Sequence, residues 1–484
     1  MDRAAGEAVV SISLLLPELM MAVLAVGLIC LDLLVSDKAR HWLGYVAVIG
    51  QLIAAGTAVM VGRERATSFF GTFALDPLAT LVQVVLLLTA ALVTLSAIDY
   101  MRRRTRYQGE FYALIVFATL GAMFLVSANE LITLYVALEL TSICQIILAG
   151  FLKDDARSAE AGLKYLLVGA LSSAVLLYGL AIVYGATGVT GLIDIGRALA
   201  SGSAPRIAFV GIALLVAGFG FKMVVVPFQM YVPDVYEGAP TPVVAYLSVA
   251  SKVAAFAAVL RVFGTALLPL QQFWPALFAI LAALTMTAGN IAALRQTNIK
   301  RLMGYSSIGQ AGYALCGLAA ASQSTTAGML FFLVAYALTN LGVFIAIVHF
   351  SSVLGTDDLS GYAGLAHRSP LVAAGLTIGL LSLVGLPLTV GFWSKVYLFL
   401  SVYNVGLAWL VVVGLLNSAL AAYYYLKIVH AMYLRPPTSE VRAGVDPALA
   451  AALAVSIAAV IVTGIIPGPL IQVTGLAAGV LFPM

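Results

Sequence analysis

The fold is decided by residues 214–260, which read LLVAGFGFKMVVVPFQMYVPDVYEGAPTPVVAYLSVASKVAAFAAVL. Two long apolar runs flank a short polar loop, and the runs carry Lys222 and Lys252. A helix needs about 20 mostly apolar residues to cross a bilayer. Pro227 and Pro233 lie at the end of the first run, where they would interrupt a helix. The stretch therefore predicts two transmembrane helices, the first one broken, with a charged group inside each.

The same apolar pattern continues along the whole chain. Of its 484 residues, 62% are hydrophobic and only 10% are charged, whereas a soluble protein has about 25% charged residues. The sequence therefore predicts an all-α integral membrane protein of about fourteen transmembrane helices, with no soluble domain. The predicted spans are 10–34, 42–62, 76–99, 111–128, 130–152, 162–186, 206–231, 240–264, 273–294, 304–321, 326–350, 371–403, 405–433 and 448–477.

Composition also excludes several classes of function. The net charge of +4 is small and scattered, which argues against nucleic-acid binding. The cysteines and histidines are too dispersed for a zinc, iron–sulfur or haem site, so we expect no metal and no cofactor on this chain. These residues are Cys30, Cys144, Cys316, His41, His349, His367 and His430.

The basic residues predict the orientation in the membrane. The loops 35–41, 100–110, 153–161, 295–303, 351–370 and 434–447 carry 14 Lys and Arg, and the opposite side carries five. The positive-inside rule assigns the more basic side to the cytoplasm. We therefore expect a multi-pass protein of the cell (inner) membrane, and an even number of spans places both termini on the non-cytoplasmic side.

Four charged residues fall inside predicted spans, namely Glu139, Lys222, Lys252 and Lys395. A charge at the centre of a transmembrane helix costs about 2.5–3.5 kcal/mol on insertion scales. Pairing as structural glue is one explanation, but one glutamate cannot neutralise three lysines. A buried lysine can exchange its proton near neutral pH. The pattern therefore favours a proton path at mid-membrane depth.

Helix-breaking residues lie close to two of these lysines. Pro227 and Pro233 follow Lys222, and Gly385, Pro387 and Gly391 precede Lys395. Proline removes a backbone donor, and such breaks persist in a membrane only where protein or water satisfies the freed groups. Broken helices in corresponding positions of two halves are typical of a transport site.

A weak internal repeat fits this arrangement. GFGFK at 218–222 resembles VGFWSK at 390–395, and both end in a lysine. Because each unit would hold five spans, an odd number, successive units must be inverted relative to each other. The predicted organisation is three N-terminal helices at 1–105, five-helix repeats at 106–268 and 269–436, and a C-terminal helix at 437–484.

Four segments make the chain similar to a known family. They are VPDVYEGAPTP at 232–242, YVALELTSI at 135–143, AGLKYLLVGALSSAVLLYG at 161–179 and NIKRLMGYSSIGQAGY at 298–313. Over roughly residues 75–435, the sequence resembles the antiporter-like membrane subunits of respiratory complex I, the proton-pumping NADH:quinone oxidoreductase. The VPDVYEGAP version of the loop resembles the N type of these subunits more than the L or M type.

The resemblance implies roles for individual residues. Glu139 matches the family's pairing carboxylate, Lys222 its partner lysine, Lys252 the central lysine, and Lys395 the lysine toward a second channel. Weakening the pair of Glu139 and Lys222 would push a proton from Lys222 toward Lys252.

Supporting positions in the family's proton path match Lys164, Lys300 and Tyr305. The chain departs from the pattern at Gln229, because many N subunits have a histidine at that position. Glutamine does not carry a proton at neutral pH, so we expect this position not to be an obligatory relay here.

The resemblance also implies cofactors and partners. NADH, flavin, iron–sulfur clusters and quinone would be bound by partner subunits, and this chain would move protons. Its partners would be neighbouring antiporter-like subunits, small membrane subunits and the lipid bilayer. Two alternatives stay open: a cation/proton antiporter or membrane-bound hydrogenase subunit of the same fold, and a structural scaffold whose charges only join helices.

Overall fold

The structure is a computed structural model that describes residues 12–62, 66–201, 206–437 and 444–482. Twelve of its helices are long and apolar enough to cross a membrane. The prediction of an all-α, multi-span membrane protein is therefore confirmed. The two other predicted spans correspond to a shorter helix of 17 residues at Ile299–Leu315 and to a broken pair of helices within 370–404.

The N-terminal part is a bundle of four helices, in which α1 packs on α2 and α4, and α3 packs on α2 and α4. The helices are α1 (Leu16–Leu34), α2 (Trp42–Val61), α3 (Pro77–Arg102) and α4 (Gln108–Ser127). A short antiparallel hairpin of β1 (Ala66–Ser68) and β2 (Phe73–Leu75) joins α2 to α3. The sequence prediction lacked this hairpin, because its strands are too short to show an alternating pattern.

The next unit contains the first lysine. Its helices are α5 (Leu131–Ala149), α6 (Ala156–Thr187), α7 (Leu192–Ala200), α8 (Arg206–Met223) and α9 (Val232–Gly238). Carboxylates cap two of them: Glu130 accepts from the first backbone amides of α5, and Asp155 accepts from Arg157 at the start of α6.

The predicted span 206–231 is broken, as expected, but the break begins before Pro227, so the predicted C-terminal bound at 231 was wrong. Helix α8 ends at Met223, one residue after Lys222, and Val224 adopts a left-handed φ of 65°. Pro227 follows in a non-helical segment. Pro233 lies in the first turn of α9, where its missing N–H is no loss, so it begins a helix instead of interrupting one.

The centre of the molecule is a helix, residues 241–266, in which every residue is buried except the partly exposed Ser251 and Thr265. It consists of α10 (Thr241–Tyr246), a π-helical turn (Leu247–Ser251), α11 (Lys252–Arg261) and a second π-helical turn (Val262–Ala266). This segment is apolar on all sides, which is typical of a helix surrounded by other helices. The helices α12 (Trp274–Ala293), α13 (Ile299–Leu315) and α14 (Gln323–Leu354) follow.

The C-terminal part contains the second broken helix. Its helices are α15 (Leu365–Arg368), α16 (Pro370–Val384), α17 (Val390–Asn404), α18 (Ala408–Leu434), α19 (Pro447–Ile465) and α20 (Gly468–Ala478). Gly385 ends α16 with φ of 96°, and Pro387 lies in the turn before α17. The predicted spans 371–403 and 448–477 are therefore each two helices, the second pair being separated at Pro467.

Long helix α14 joins the two halves, since it packs against α3, α10, α16, α17, α19 and α20. Loops that the predicted topology places on the same side lie together. On one side Phe73 pairs with Ala128 and Glu130 with Gly191, and on the other Asn298 pairs with Asp358. The connecting segment 267–273, which contains the predicted boundary at 268, is a short 3-10 turn between two spans. The inverted-repeat organisation stays a prediction.

Candidate functional site

The first lysine is buried at the C-terminal end of α8. Lys222 Nζ donates a hydrogen bond of 2.5 Å to Ser142 Oγ on α5, and it lies 5.4 Å from the centre of the Phe221 ring and 5.9 Å from that of Tyr165. Val224, with a left-handed φ, turns the chain directly after the helix that carries this lysine. The amine lies between α5, α6 and α8, beside one serine hydroxyl and two aromatic rings.

Glu139 lies on α5 one turn before Ser142. Its carboxylate accepts a hydrogen bond from Ser173 Oγ on α6, and Tyr135 OH lies 3.2 Å from the same serine oxygen. No ion pair within 4.0 Å joins Glu139 to Lys222 among the described residues, although the carboxylate still attracts the lysine electrostatically. The expected partners are therefore neighbours linked through α5, with serine hydroxyls as their direct contacts.

Glu139 lies on an outward face of α5. The carboxylate is half-buried and belongs to an outward stripe of α5 whose other members are Ile132, Val136, Ile143 and Ile147. A charge inside a span persists only where it faces a hydrated interior or a partner. The sequence could have indicated the outward position of Glu139, because Glu139 and the apolar residues of this stripe recur at helical spacing.

Polar side chains continue from the first lysine toward the second. Tyr165 OH donates to Gln145 Oε1 at 3.0 Å, and the tyrosine also interacts with the side chain of Ser251. Ser251 directly precedes Lys252 at the junction of the π-helical turn and α11. A row of buried polar groups therefore leads from Lys222 to the central helix.

Lys252 is fully enclosed at the centre of the molecule. Its Nζ donates to the backbone oxygen and the hydroxyl of Ser307 on α13, and the centre of the Tyr336 ring lies 5.6 Å away. Ser307 Oγ in turn lies 2.9 Å from Tyr336 OH and 3.3 Å from Tyr236 OH. Hydroxyl groups, which both donate and accept, surround this lysine.

Lys395 lies one turn inside α17, across the break from α16. Its Nζ donates to Val384 O at 2.7 Å and to Ser418 Oγ at 3.2 Å, and the Tyr313 ring centre lies 5.1 Å away. Val384 O is a carbonyl at the end of α16, where helical partners are lacking. Gly391 allows this approach, because a side chain there would collide with Ser382.

A small cavity lies between Tyr336, which belongs to the Lys252 site, and Lys395. It holds about 10 Å³ of space for a water centre and is lined by Tyr336, Gln310, Thr339, Ser382 and Lys395, which is roughly the room that one water needs. A larger cavity of about 400 Å³ opens on the other side of Lys395. Tyr336 thus belongs to the Lys252 site and to a water-sized space beside Lys395.

A charged cluster covers the loop VPDVYEGAP on the side predicted to be cytoplasmic. Lys164 pairs with Glu160 at 2.8 Å and with Asp234 at 3.0 Å, and Arg301 pairs with Asp234 at 2.6 Å and with Glu237 at 3.0 Å. Burial alone would raise the pKa of Asp234, but the hydrogen bonds from Lys164 and Arg301 outweigh it and hold that pKa below its usual value. Lys164 therefore lies at the surface of the chain, where 43% of its side chain is exposed.

The other supporting candidates lie apart from the three lysines. Lys300 is buried and pairs with Asp357 at 3.0 Å, and it donates to Ala239 O at 3.1 Å. The guanidinium carbon of Arg301 lies 5.9 Å from the centre of the Tyr305 ring. Gln229 is half-buried in the segment between α8 and α9, and its amide oxygen lacks a hydrogen-bond partner among the described residues. Their roles in a proton path stay predictions.

Sequence reasoning missed the side chains that contact the lysines. Ser142, Ser307, Tyr336, Tyr313 and Ser418 are neutral, so the search for charges inside spans passed over them. Two of them, Ser307 and Tyr313, belong to NIKRLMGYSSIGQAGY, in which most residues are buried despite their polarity. Buried polar residues in a membrane need a partner, and this is the signal that could have found them.

The described residues contain no group of three or more His, Cys, Asp or Glu side chains suited to a metal ion. The candidate site consists of amines, hydroxyls and one carboxylate. Such groups can bind and release protons.

Comparison with known proteins identifies the family. The family described as NADH:quinone oxidoreductase/Mrp antiporter, TM, matches residues 128–421, which include all four charged residues of the site. The chain belongs to this family. Within the family, it is 46% identical to NADH-quinone oxidoreductase subunit N of Moorella thermoacetica over 95% of this chain and 97% of that one. It is 43% identical to the subunit N of Heliobacterium modesticaldum, over 97% and 99%.

Solved structures of family members have the same fold. A chain of respiratory complex I from Thermus thermophilus with bound aureothin matches with a TM-score of 0.81 and 32% identity, over 94% of this chain and 98% of that one. A chain of the Mrp complex from Dietzia sp. matches with a TM-score of 0.87 over 97% and 98%, at 21% identity. The second likeness shows the fold alone.

Proposed function

We infer that this chain is the N-type antiporter-like subunit of a proton-pumping NADH:quinone oxidoreductase, and that it translocates protons through Lys222, Lys252 and Lys395. Identities of 46% and 40% over nearly the full chain, to subunits of that name, support membership of this assembly. The observation that supports the proton path is that hydroxyl, amide and tyrosine groups lie beside each of the three lysines, with a water-sized cavity between Tyr336 and Lys395.

The path would run at mid-membrane depth. A proton on Lys222 passes by way of Tyr165 and Ser251 to Lys252, with water completing the hydrogen bonds, and the cavity beside Tyr336 carries it on to Lys395. Moving one charge against 100 mV requires about 2.3 kcal/mol. Electrostatic change at Glu139 can supply energy on this scale, because a shift of one pKa unit corresponds to about 1.36 kcal/mol.

A neighbouring membrane subunit would cover Glu139. A half-exposed carboxylate in an apolar stripe is unfavourable against lipid, and the exposed face of α6, with Leu167, Leu171 and Tyr178, continues the stripe. Redox chemistry on NADH, flavin, iron–sulfur clusters and quinone would belong to other subunits. The coupling signal would then reach this chain through the interface at Glu139.

Purification of the assembly tests the function. The chain, tagged at its C-terminus, is extracted in mild detergent, and the co-purifying subunits are identified by mass spectrometry. We expect flavin- and iron–sulfur-containing subunits, and NADH:quinone oxidoreductase activity that pumps protons after reconstitution. An assembly that exchanges cations for protons without oxidising NADH would contradict the proposal.

Cysteine labelling tests the proposed orientation. In a Cys30→Ser background, single cysteines at the exposed positions Ser36 and Asp154 should react with a membrane-impermeant reagent only from the cytoplasmic side, and Ser201→Cys only from the other side. Reaction of Ser201→Cys and Asp154→Cys from the same side would overturn the topology. Ser203, in the same predicted loop, lies outside the described residues.

A further inference from the structure

Unpaired polar groups are concentrated far from the lysine row, in the N-terminal bundle. Among the described residues, most buried side-chain oxygens and nitrogens without a hydrogen-bond partner lie in α1–α4. Lys222, Lys252 and Lys395, in contrast, all have partners. A buried polar group without a partner is strongly unfavourable, and in proteins such groups are usually satisfied by ordered water.

The first group of unpaired polar atoms lies around Glu18. This residue lies on the buried stripe of α1 that also contains Met21, Ala25, Leu28 and Asp32, and it is only 1% exposed. Gln83 Nε2 on α3 donates to Glu18 Oε1 at 2.6 Å and to Ser127 Oγ at 2.9 Å. Glu18 Oε2 and Gln83 Oε1 then face no donor.

The second position is Gln51, at the middle of α2. Its side chain is 0% exposed, and neither its oxygen nor its nitrogen has a partner. Thr57 on α2 contacts Met20 on α1, with 3.6 Å between Oγ1 and Sδ. Gln51 is six residues from Thr57 on α2, so it lies about 9 Å from it along the bundle. The two positions are therefore separate sites at different depths.

An apolar cap closes the end of the bundle next to Glu18. Leu15, Phe73 and Leu75 form a cluster there, with Phe124 packed against it. The hairpin β1–β2 contributes two of these side chains. The polar groups below the cap are thus enclosed by the protein and do not open to lipid.

We propose that the α1–α4 bundle binds ordered water at two separate buried positions, one beside Glu18 and Gln83 and one beside Gln51, both outside the lysine row. Water fits because it donates and accepts. The groups at Glu18 need donors, whereas Gln51 needs a donor and an acceptor together. A cation would satisfy the oxygens but leave the Gln51 amide nitrogen without an acceptor. Glu18 is the ionisable group at the first position.

A cryo-electron-microscopy map of the intact complex tests the proposal. In a map that resolves ordered waters elsewhere in the membrane arm, we expect density within hydrogen-bond distance of Glu18 Oε2 and of the Gln51 amide. Absence of density at both positions would overturn the proposal. A sodium-dependent density with five or six oxygen ligands at about 2.4 Å would replace water by a cation and overturn it too.

The variant Gln51→Leu gives the second measurement. Leucine has a similar size but no polar atoms, so density beside residue 51 should disappear while density beside Glu18 stays. Proton pumping should equal that of the wild type, because the site is separate from the lysines. Unchanged density at residue 51, or a loss of pumping like that expected for Lys222→Ala, would contradict the proposal. A wild-type complex that does not pump at all would instead contradict the proposed function.

Discussion

Both broken helices place a lysine beside the interruption, but the two lysines have different surroundings. Lys222 is followed by Val224 with a φ of 65°, whereas Lys395 follows Gly385 with a φ of 96°. Lys222 hydrogen-bonds to a serine on the helix that carries Glu139. Lys395 hydrogen-bonds to a carbonyl at the break itself and borders a cavity of about 400 Å³.

In the proposed mechanism, this difference would separate two means of controlling a proton. At Lys222 a carboxylate on an outward face can change the charge balance, so the first site is suited to receive a signal from a neighbouring subunit. At Lys395 the described residues place hydroxyls, a carbonyl and an aromatic ring around the amine, so hydration can govern the second site. We therefore expect the first site to respond to charge substitutions and the second to changes of the backbone break.

The largest effect is expected for Lys222→Ala. Pumping by the reconstituted complex should fall by about tenfold or more, since the proton carrier is lost. The amount of assembled complex should be unchanged, because a lysine at this depth opposes membrane insertion. Lys222→Arg should be nearly as poor, since arginine does not release its proton in this range. Full pumping by the arginine variant would show that only the charge matters.

A smaller but still clear effect is expected at Glu139. Glu139→Gln should slow pumping several-fold with normal assembly, because the signal to Lys222 is electrostatic. The exchange Glu139→Lys with Lys222→Glu should leave assembly normal but allow only part of the pumping, since the proposed carrier has left the path toward Lys252. Wild-type rates in the exchanged protein, measured with a pH-sensitive dye in proteoliposomes, would contradict the assigned roles.

The next smaller effect on pumping is expected for the serines that hydrogen-bond to the two lysines, Ser142 for Lys222 and Ser418 for Lys395. Ser142→Ala removes the one protein hydrogen bond described for Lys222 Nζ, whereas Ser418→Ala leaves Lys395 bonded to Val384 O. One such bond is worth about 0.5–1 kcal/mol, so Ser142→Ala should slow pumping roughly two- to fivefold. Ser418→Ala should change it less. Equal effects of both variants would remove this distinction between the sites.

The smallest effect is expected on stability at the second break. Gly385→Ala forces a side chain into a left-handed conformation, which costs about 1–2 kcal/mol, and its Cβ would lie 3.1 Å from Lys395 Cδ. The matched control Gly185→Ala, inside α6 with nothing within 4 Å of a Cβ, should be neutral or stabilising. Thermal dissociation of the purified complex should therefore occur at a lower temperature only for Gly385→Ala.

The amino-acid sequence alone determined the class of protein, the positions of most spans and the four charged residues. These follow from composition and from runs of about 20 apolar residues, which are local properties. Family motifs such as VPDVYEGAP, and the identities of Lys252 and Lys395, could also be recognised without coordinates. Membrane proteins permit this because the bilayer imposes helix length directly on the sequence.

Only the tertiary structure decided how the charged residues are partnered. Glu139 contacts Ser173 instead of Lys222, Lys252 contacts Ser307 from a helix 55 residues away, and Lys395 contacts a carbonyl across its own break. Helix packing sets these contacts, and a neutral serine or a backbone oxygen has no signal in hydropathy. The same reason hid Gln51 and Glu18, whose lack of partners appears only when four helices enclose them.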